Sequence, residues 1–256
     1  MSRFLVIGYA VMCYVMFVAA FIYAIGFVGD FGVPRSVDSA AVAPAGQAVA
    51  IDMVLLSVFA IQHSVMARPA FKRWWTHYVA PPIERSTYVL VTNLVLFLLF
   101  WQWRSIPAVV WNVTAPAGRL GLWVLFWLGW LMALASTFMI SHFDLFGLRQ
   151  AYLAGRGKPH ANIGFRSRLL YRLVRHPIML GFVIAFWATP KLTAGHLLFA
   201  VATTGYIVIA VQLEEHDLVA GLGDEYRDYR RRVPMLLPWP RKHLGSGTPE
   251  HGSRAL

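Results

Sequence analysis

Long apolar runs broken by short polar stretches dominate the chain. A helix needs about 20 mostly apolar residues to cross roughly 30 Å of hydrocarbon. Four runs meet that length, from Phe4 to Val28, Gln47 to Met66, Thr87 to Trp103 and Leu120 to Ile140. After a polar stretch come a short run from Pro177 to Thr189 and a fuller one from Gly195 to Leu213, and the tight break between them predicts a helical hairpin. The first run is too long for a signal sequence and has no small-residue cleavage site behind a short core, so it reads as a retained span. The expectation is an all-α integral membrane bundle of about six spans.

Charge then orients the bundle. Of the 23 Lys and Arg residues, 19 fall at the N-terminus, after spans two and four and in the C-terminal tail; Arg35, Arg104, Arg119 and Lys191 occupy the alternate loops. Basic residues collect on the cytoplasmic side, which puts both termini there, in the inner membrane of a bacterium. Residues 1–140 form a four-span region. Residues 141–240 add a cytoplasmic loop, the hairpin and a C-terminal helix, and 241–256 read as a flexible tail.

Composition agrees. Hydrophobic residues make up 58% of the 256 and charged residues 14%, against about 25% charge in soluble domains. The net charge of +11 would suggest nucleic acid in a soluble chain; here topology and anionic headgroups account for it, and no nucleic-acid partner is expected. A single cysteine, Cys13, excludes a disulfide framework. The nine histidines never fall three to five residues apart, so no metal site is expected. His-Glu-x-x-His, Gly-x-Ser-x-Gly, the Walker loop and Gly-x-Gly-x-x-Gly are all missing.

Polar chemistry concentrates towards the C-terminus. Pro177 suits a first helical turn, leaving free backbone donors and Arg175 or His176 beside a helix start that favours a carboxylate; the alternative is headgroup anchoring. Glu214 and Glu215 end an apolar span where acids are costly unless paired or wet. Either a cationic or hydroxylic ligand group meets them, or the arginines at 227, 230 and 231 do. Gly223 and Asp224 mark a helix end and a new start. Tyr226, Tyr229 and Val233 then share one face of an amphipathic helix.

The order Arg175-His176-Pro177, Gly181, hairpin, Glu214-Glu215-x-x-Leu218, then Gly223-x-x-Tyr226-x-x-Tyr229, resembles the membrane methyltransferases related to isoprenylcysteine carboxyl methyltransferase. Closer likeness to the bacterial methanethiol S-methyltransferases runs through Phe59 to Ser64, Glu84 to Tyr88, Trp101 to Trp103, Ala185 to Pro190 and, most specifically, His142 to Gln150. The resemblance implies S-adenosylmethionine as cofactor without a Rossmann domain, and a small volatile thiol as acceptor. It places Glu214 and Glu215 at the cofactor's cationic or hydroxyl groups, Arg175 and His176 with Pro177 and Gly181 at its carboxylate or adenine side, and Tyr226 and Tyr229 in the pocket wall. Glu84, Arg85, Arg149 and Gln150 are candidates to support the cofactor loop or the substrate gate; the alternative for Glu84, Arg85 and Tyr88 is headgroup anchoring.

Methyl transfer also requires the thiol to become a thiolate. An alkyl thiol less acidic than the cysteine reference of about 8.5 is mostly protonated near neutrality, a cost of at least about 2 kcal/mol. Two bases are candidates. His142 with Asp144 lies where span four meets the loop, though at i, i+2 the two pair only if the helix ends there. His63, near the cytoplasmic end of span two, is the rival.

Overall fold

The computed structural model describes residues 3–160 and 169–238. The tail assigned to 241–256, and 161–168 within the cytoplasmic loop, lie outside the described residues. In chain order the elements are α1 (Arg3–Gly29), β1 (Ala41–Val42), α2 (Ala45–Ala67), α3 (Pro69–Trp75), α4 (Glu84–Gln102), β2 (Arg104–Ser105), β3 (Val109–Asn112), α5 (Pro116–Ile140), α6 (His142–Leu145), α7 (Leu148–Gly155), α8 (Pro177–Trp187), β4 (Lys191–Thr193), α9 (Ala194–Leu222) and α10 (Asp224–Arg232).

Five helices, α1, α2, α4 with the turn before it, α5 and α9, are long and apolar enough to cross a membrane. The chain is a helical multi-pass membrane protein. The short fifth run is α8, whose 11 residues rise only about 16 Å, near half the hydrocarbon depth. Together with the residues that follow it to β4, it forms the first arm of the hairpin with α9 and carries the chain across.

α8 is held by an intimate crossing with α5. A Cβ on Gly129 would stand 2.6 Å from the Gly181 carbonyl, and one on Gly181 would stand 2.6 Å from the Gly129 carbonyl. Each helix therefore presents a Gly-x-x-x-Ala step, Gly129 to Ala133 and Gly181 to Ala185, that lets the backbones touch where lipid gives no hydrophobic drive. This contact places Gly181, one of the residues the resemblance set at the cofactor, in the α5–α8 interface.

The three loops poor in basic residues meet at one end. There β1 pairs in parallel with β2, and β3 antiparallel with β4. Asp52 Oδ1 accepts from the Arg104 amide at 2.9 Å, and Thr193 Oγ1 donates to Asp38 at 2.5 Å. Towards the same end packs an aromatic core of Phe27, Phe100, Trp103, Phe126, Trp130 and Phe199. The basic loops and α3, α6, α7 and α10 gather at the opposite end. α9 does not stop at Leu213 but runs through Glu214 and Glu215 to Leu222, where Gly223 ends it at φ 61°. α10 then folds back, burying Tyr226, Tyr229 and Val233 against Leu218, Val219 and Leu222.

Candidate active site

On a helix, adjacent residues point about 100° apart, so the two acids of α9 face different surroundings. Glu215 turns inward, its side chain 5% exposed. Arg175 Nε donates to its Oε1 at 2.5 Å, His176 Nε2 approaches the same oxygen at 3.1 Å, and Arg230 Nε lies 3.1 Å from Oε2. Arg175 also donates through Nη1 to the carbonyls of Val233 at 2.5 Å and Arg230 at 3.1 Å. The amides of Arg175 and His176 bond the carbonyls of Pro234 and Met235. Pro177, with no amide to satisfy, starts α8 directly behind them. The Arg-His-Pro segment, α9 and α10 are thus one buried ionic knot. Arg175 is engaged by internal partners, and Glu215 pairs with Arg175 and with Arg230, one of the arginines the sequence offered.

Glu214 faces the other way. Its side chain is 46% exposed, with His176 Nδ1 3.6 Å from Oε2. Its charge also acts on Tyr171 and Tyr226. Burial first, then Glu214, raises the Tyr171 pKa above the usual phenol range. Burial pushes Tyr229 up to about 12. Its hydroxyl donates to the Tyr171 carbonyl at 2.6 Å, fixing α10 against the Arg-His-Pro approach. Tyr226 and Tyr229 pack against each other behind Glu214.

Beside Glu214 the ends of α2, α4 and α9 bring together a second polar group. Tyr88 Oη lies 2.9 Å from His63 Nδ1 and 3.0 Å from Nε2, against the ring edge that carries both nitrogens. Phe59 stacks on the imidazole, and Ser64 Oγ meets Tyr206 Oη at 3.2 Å. An ion pair from Arg68 to Asp217, 2.9 Å, closes the end between α2 and α9.

His142 is placed differently. The backbone breaks at Ser141 (φ 179°, ψ 88°), which turns His142 back into a box formed by Tyr14, Phe17, Phe138 and Phe146, with Phe138 stacked at 4.0 Å. Thr137 Oγ1 donates to the Leu134 carbonyl at 2.6 Å, so its oxygen accepts from His142 Nδ1–H at 2.7 Å. Nε2 then accepts from Tyr14 at 2.8 Å. This neutral ring has both nitrogens occupied, and burial lowers its pKa. The expected pairing with Asp144 is not made, although the helix does end there. Asp144 instead takes His160 at 2.8 Å and Arg149 at 3.3 Å.

Asp144 borders a polar cavity of about 240 Å³, lined also by Lys72, Glu84, Arg85, Gln150 and His160. The turn before α7 lies directly on the start of α4. Gly147 has φ 83°, and a Cβ there would be 2.5 Å from Ser86 Oγ. The Arg85 amide donates to Gln150 Oε1 at 3.4 Å. Two motifs distant in sequence, Glu84 to Tyr88 and His142 to Gln150, therefore share one wall. Sequence reasoning missed Lys72, Tyr206 and Ser64, which no local spacing signals. Among the described residues no cluster could hold a metal ion.

Fold and site define a multi-pass helical membrane protein with a charged site where its spans leave the apolar layer. The chain belongs to the NnrU protein family, whose model matches residues 53–231. It is similar to the methanethiol S-methyltransferase of Mycobacterium tuberculosis (strain ATCC 25618 / H37Rv), 67% identical over 243 residues that cover 95% of this chain and 100% of that one. The methanethiol S-methyltransferase 2 of Bradyrhizobium diazoefficiens is 56% identical over 93% of this chain and 91% of its own length. Nurim of Bos taurus is more distant, 33% identical over 65% of this chain and 66% of its own length. No solved structure matches the chain.

Proposed function

We propose that the protein is an enzyme that methylates methanethiol to dimethyl sulfide, with S-adenosylmethionine as the methyl donor. The reading is carried by the 67% identity to a methanethiol S-methyltransferase across the whole of that protein. Bound, the cofactor supplies a methyl group on a positively charged sulfur. The residues present fit such a group: Glu214 is a half-exposed carboxylate whose firmest partner among the described residues lies only at 3.6 Å.

The chain's own residues have two tasks. The Arg175–His176–Glu215 knot holds α8, α9 and α10 so that Glu214 faces the cofactor's positive charge. Alignment of this kind supplies roughly 7 to 11 kcal/mol in favourable cases. His63 takes the thiol proton as the new carbon–sulfur bond forms and the old one breaks, leaving two neutral thioethers. Tyr88 fixes the imidazole. His63 is preferred to His142 because its two nitrogens share a single hydroxyl, Tyr88 Oη, which can bond only one of them at a time, whereas each nitrogen of His142 has its own partner, Tyr14 or Thr137.

The excess of basic residues on the α3, α7 and α10 side supports a cytoplasmic site, with both termini inside a bacterial inner membrane. The test is headspace gas chromatography of purified protein supplied with methanethiol and S-adenosylmethionine. Dimethyl sulfide formed in proportion to protein supports the reading, and none formed by folded protein removes it.

A further inference from the structure

Charged groups that face a cavity without a counter-ion are costly unless something else meets them. Lys72, Glu84 and Arg85 all line the 240 Å³ cavity. Among the described residues none of the three has a side-chain hydrogen bond or an ion pair, although Glu84 is 8% exposed. Burial, then the charge of Arg85, lowers the pKa of Lys72, and the opposing charge of Glu84 across the cavity does not cancel them. Asp144 differs, being held by Arg149 and His160. The open valences are thus two cations and one carboxylate, beside the Gln150 amide.

We propose that this cavity binds an α-amino carboxylate, with Lys72 and Arg85 on the carboxylate and Glu84 on the ammonium. Two sources carry that chemistry, the amino-acid arm of S-adenosylmethionine and a free sulfur amino acid. The first rests on the function proposed above, and position favours it. Arg85 precedes Tyr88 by three residues on α4, about one helical turn, so the cavity lies next to the His63–Tyr88 pair. Arg175, the guanidinium expected to meet the cofactor's carboxylate, is instead bound to Glu215 and to two backbone carbonyls.

Equilibrium binding to the purified full chain tests this with three probes. S-adenosylhomocysteine carries the arm, 5′-methylthioadenosine lacks it, and L-methionine is the arm without the nucleoside. Lys72→Gln and Arg85→Gln are each expected to weaken S-adenosylhomocysteine roughly 10- to 100-fold, the range for lost charge-assisted hydrogen bonds. Binding of 5′-methylthioadenosine should stay within about twofold, which also shows the variants to be folded. Unchanged S-adenosylhomocysteine affinity, or an equal loss for both nucleosides, overturns the assignment while leaving the methyl-donor reading intact. If the wild type binds neither nucleoside, the donor reading fails. L-methionine binding that disappears in Arg85→Gln would then identify a free amino acid as the occupant, and its absence in the wild type would overturn the cavity assignment as well.

Discussion

Glu215→Ala should unfold the site's scaffold, whereas Glu214→Ala, one residue away, should leave the fold intact and remove activity. Removing Glu215 strands the Arg175 guanidinium and deprives His176 of its nearer carboxylate, both side chains being at most 6% exposed. Breaking a buried pair by deleting one partner costs about 3–5 kcal/mol. Arg230 adds little, since its side chain is 45% exposed and such a contact contributes roughly 0–1 kcal/mol. At about 2–4 °C per kcal/mol for a chain of this size, the melting temperature should fall by roughly 6–20 °C. Glu214, 46% exposed with one contact at 3.6 Å, should cost less than about 1 kcal/mol. Cys13 supplies the assay, because it is the chain's single cysteine and is buried in α1. A thiol-reactive fluorophore added to detergent-purified protein therefore reports unfolding. The reasoning is refuted if Glu215→Ala melts within about 2 °C of wild type, or if Glu214→Ala falls as far.

The other expectations concern the base, the boxed histidine and the α5–α8 crossing. His63→Ala should slow single-turnover methyl transfer by roughly 10²–10⁴-fold, with a deficit that narrows as rising pH ionises the thiol directly; a pH-independent deficit would exclude the base role. His142 is held neutral by burial, so the unfolded chain binds the extra proton. Its contribution to stability is fully present above about pH 6.5 and is lost as pH falls below that towards the lower folded-state value. Melting temperatures at pH 7.5 and 5.5 should show this slope, and His142→Phe should flatten it. Gly181→Ala places a Cβ 2.6 Å from a backbone carbonyl and should cost about 1–3 kcal/mol. Gly205→Ala, with nothing within 4 Å, should be neutral or slightly stabilising, which the same melting assay would check.

The spans were legible because hydrocarbon imposes a length that sequence displays directly. The run from Pro177 to Thr189 was legible as the first arm of a hairpin, but it was counted among about six spans, and its helix α8 is only 11 residues long. The end of α9 was not legible, because hydropathy stops at Leu213 while the helix continues with residues that favour helices, as far as Gly223. Side-chain partners were legible only in part. The arginine partner foreseen for the acids is Arg230, but Arg175 comes from 40 residues away, and nothing local announces that approach. The proximity of His142 and Asp144 in sequence misled, because the break at Ser141 sends one side chain into an aromatic box and the other into a cavity. The Gly129 and Gly181 steps were visible as small residues four apart from Ala133 and Ala185, a spacing that points to helix contact more directly than to a ligand.

On the proposed function, the position of the site follows from the solubilities of what it must join. A sulfonium cofactor with an amino-acid arm needs counter-charges, which cost several kcal/mol in hydrocarbon unless paired or wet. Methanethiol is small and weakly polar, and an apolar layer admits it. One place satisfies both, the level at which α2, α4 and α9 pass from apolar to charged sequence. His63 lies on the apolar side of that boundary, one turn before Arg68, and Glu214 lies on its polar side, directly after Leu213. The neighbouring acids of α9 then divide the work by helical geometry: Glu215 points into the bundle and holds the scaffold, while Glu214, about 100° around the helix, faces the space where charge and thiol meet.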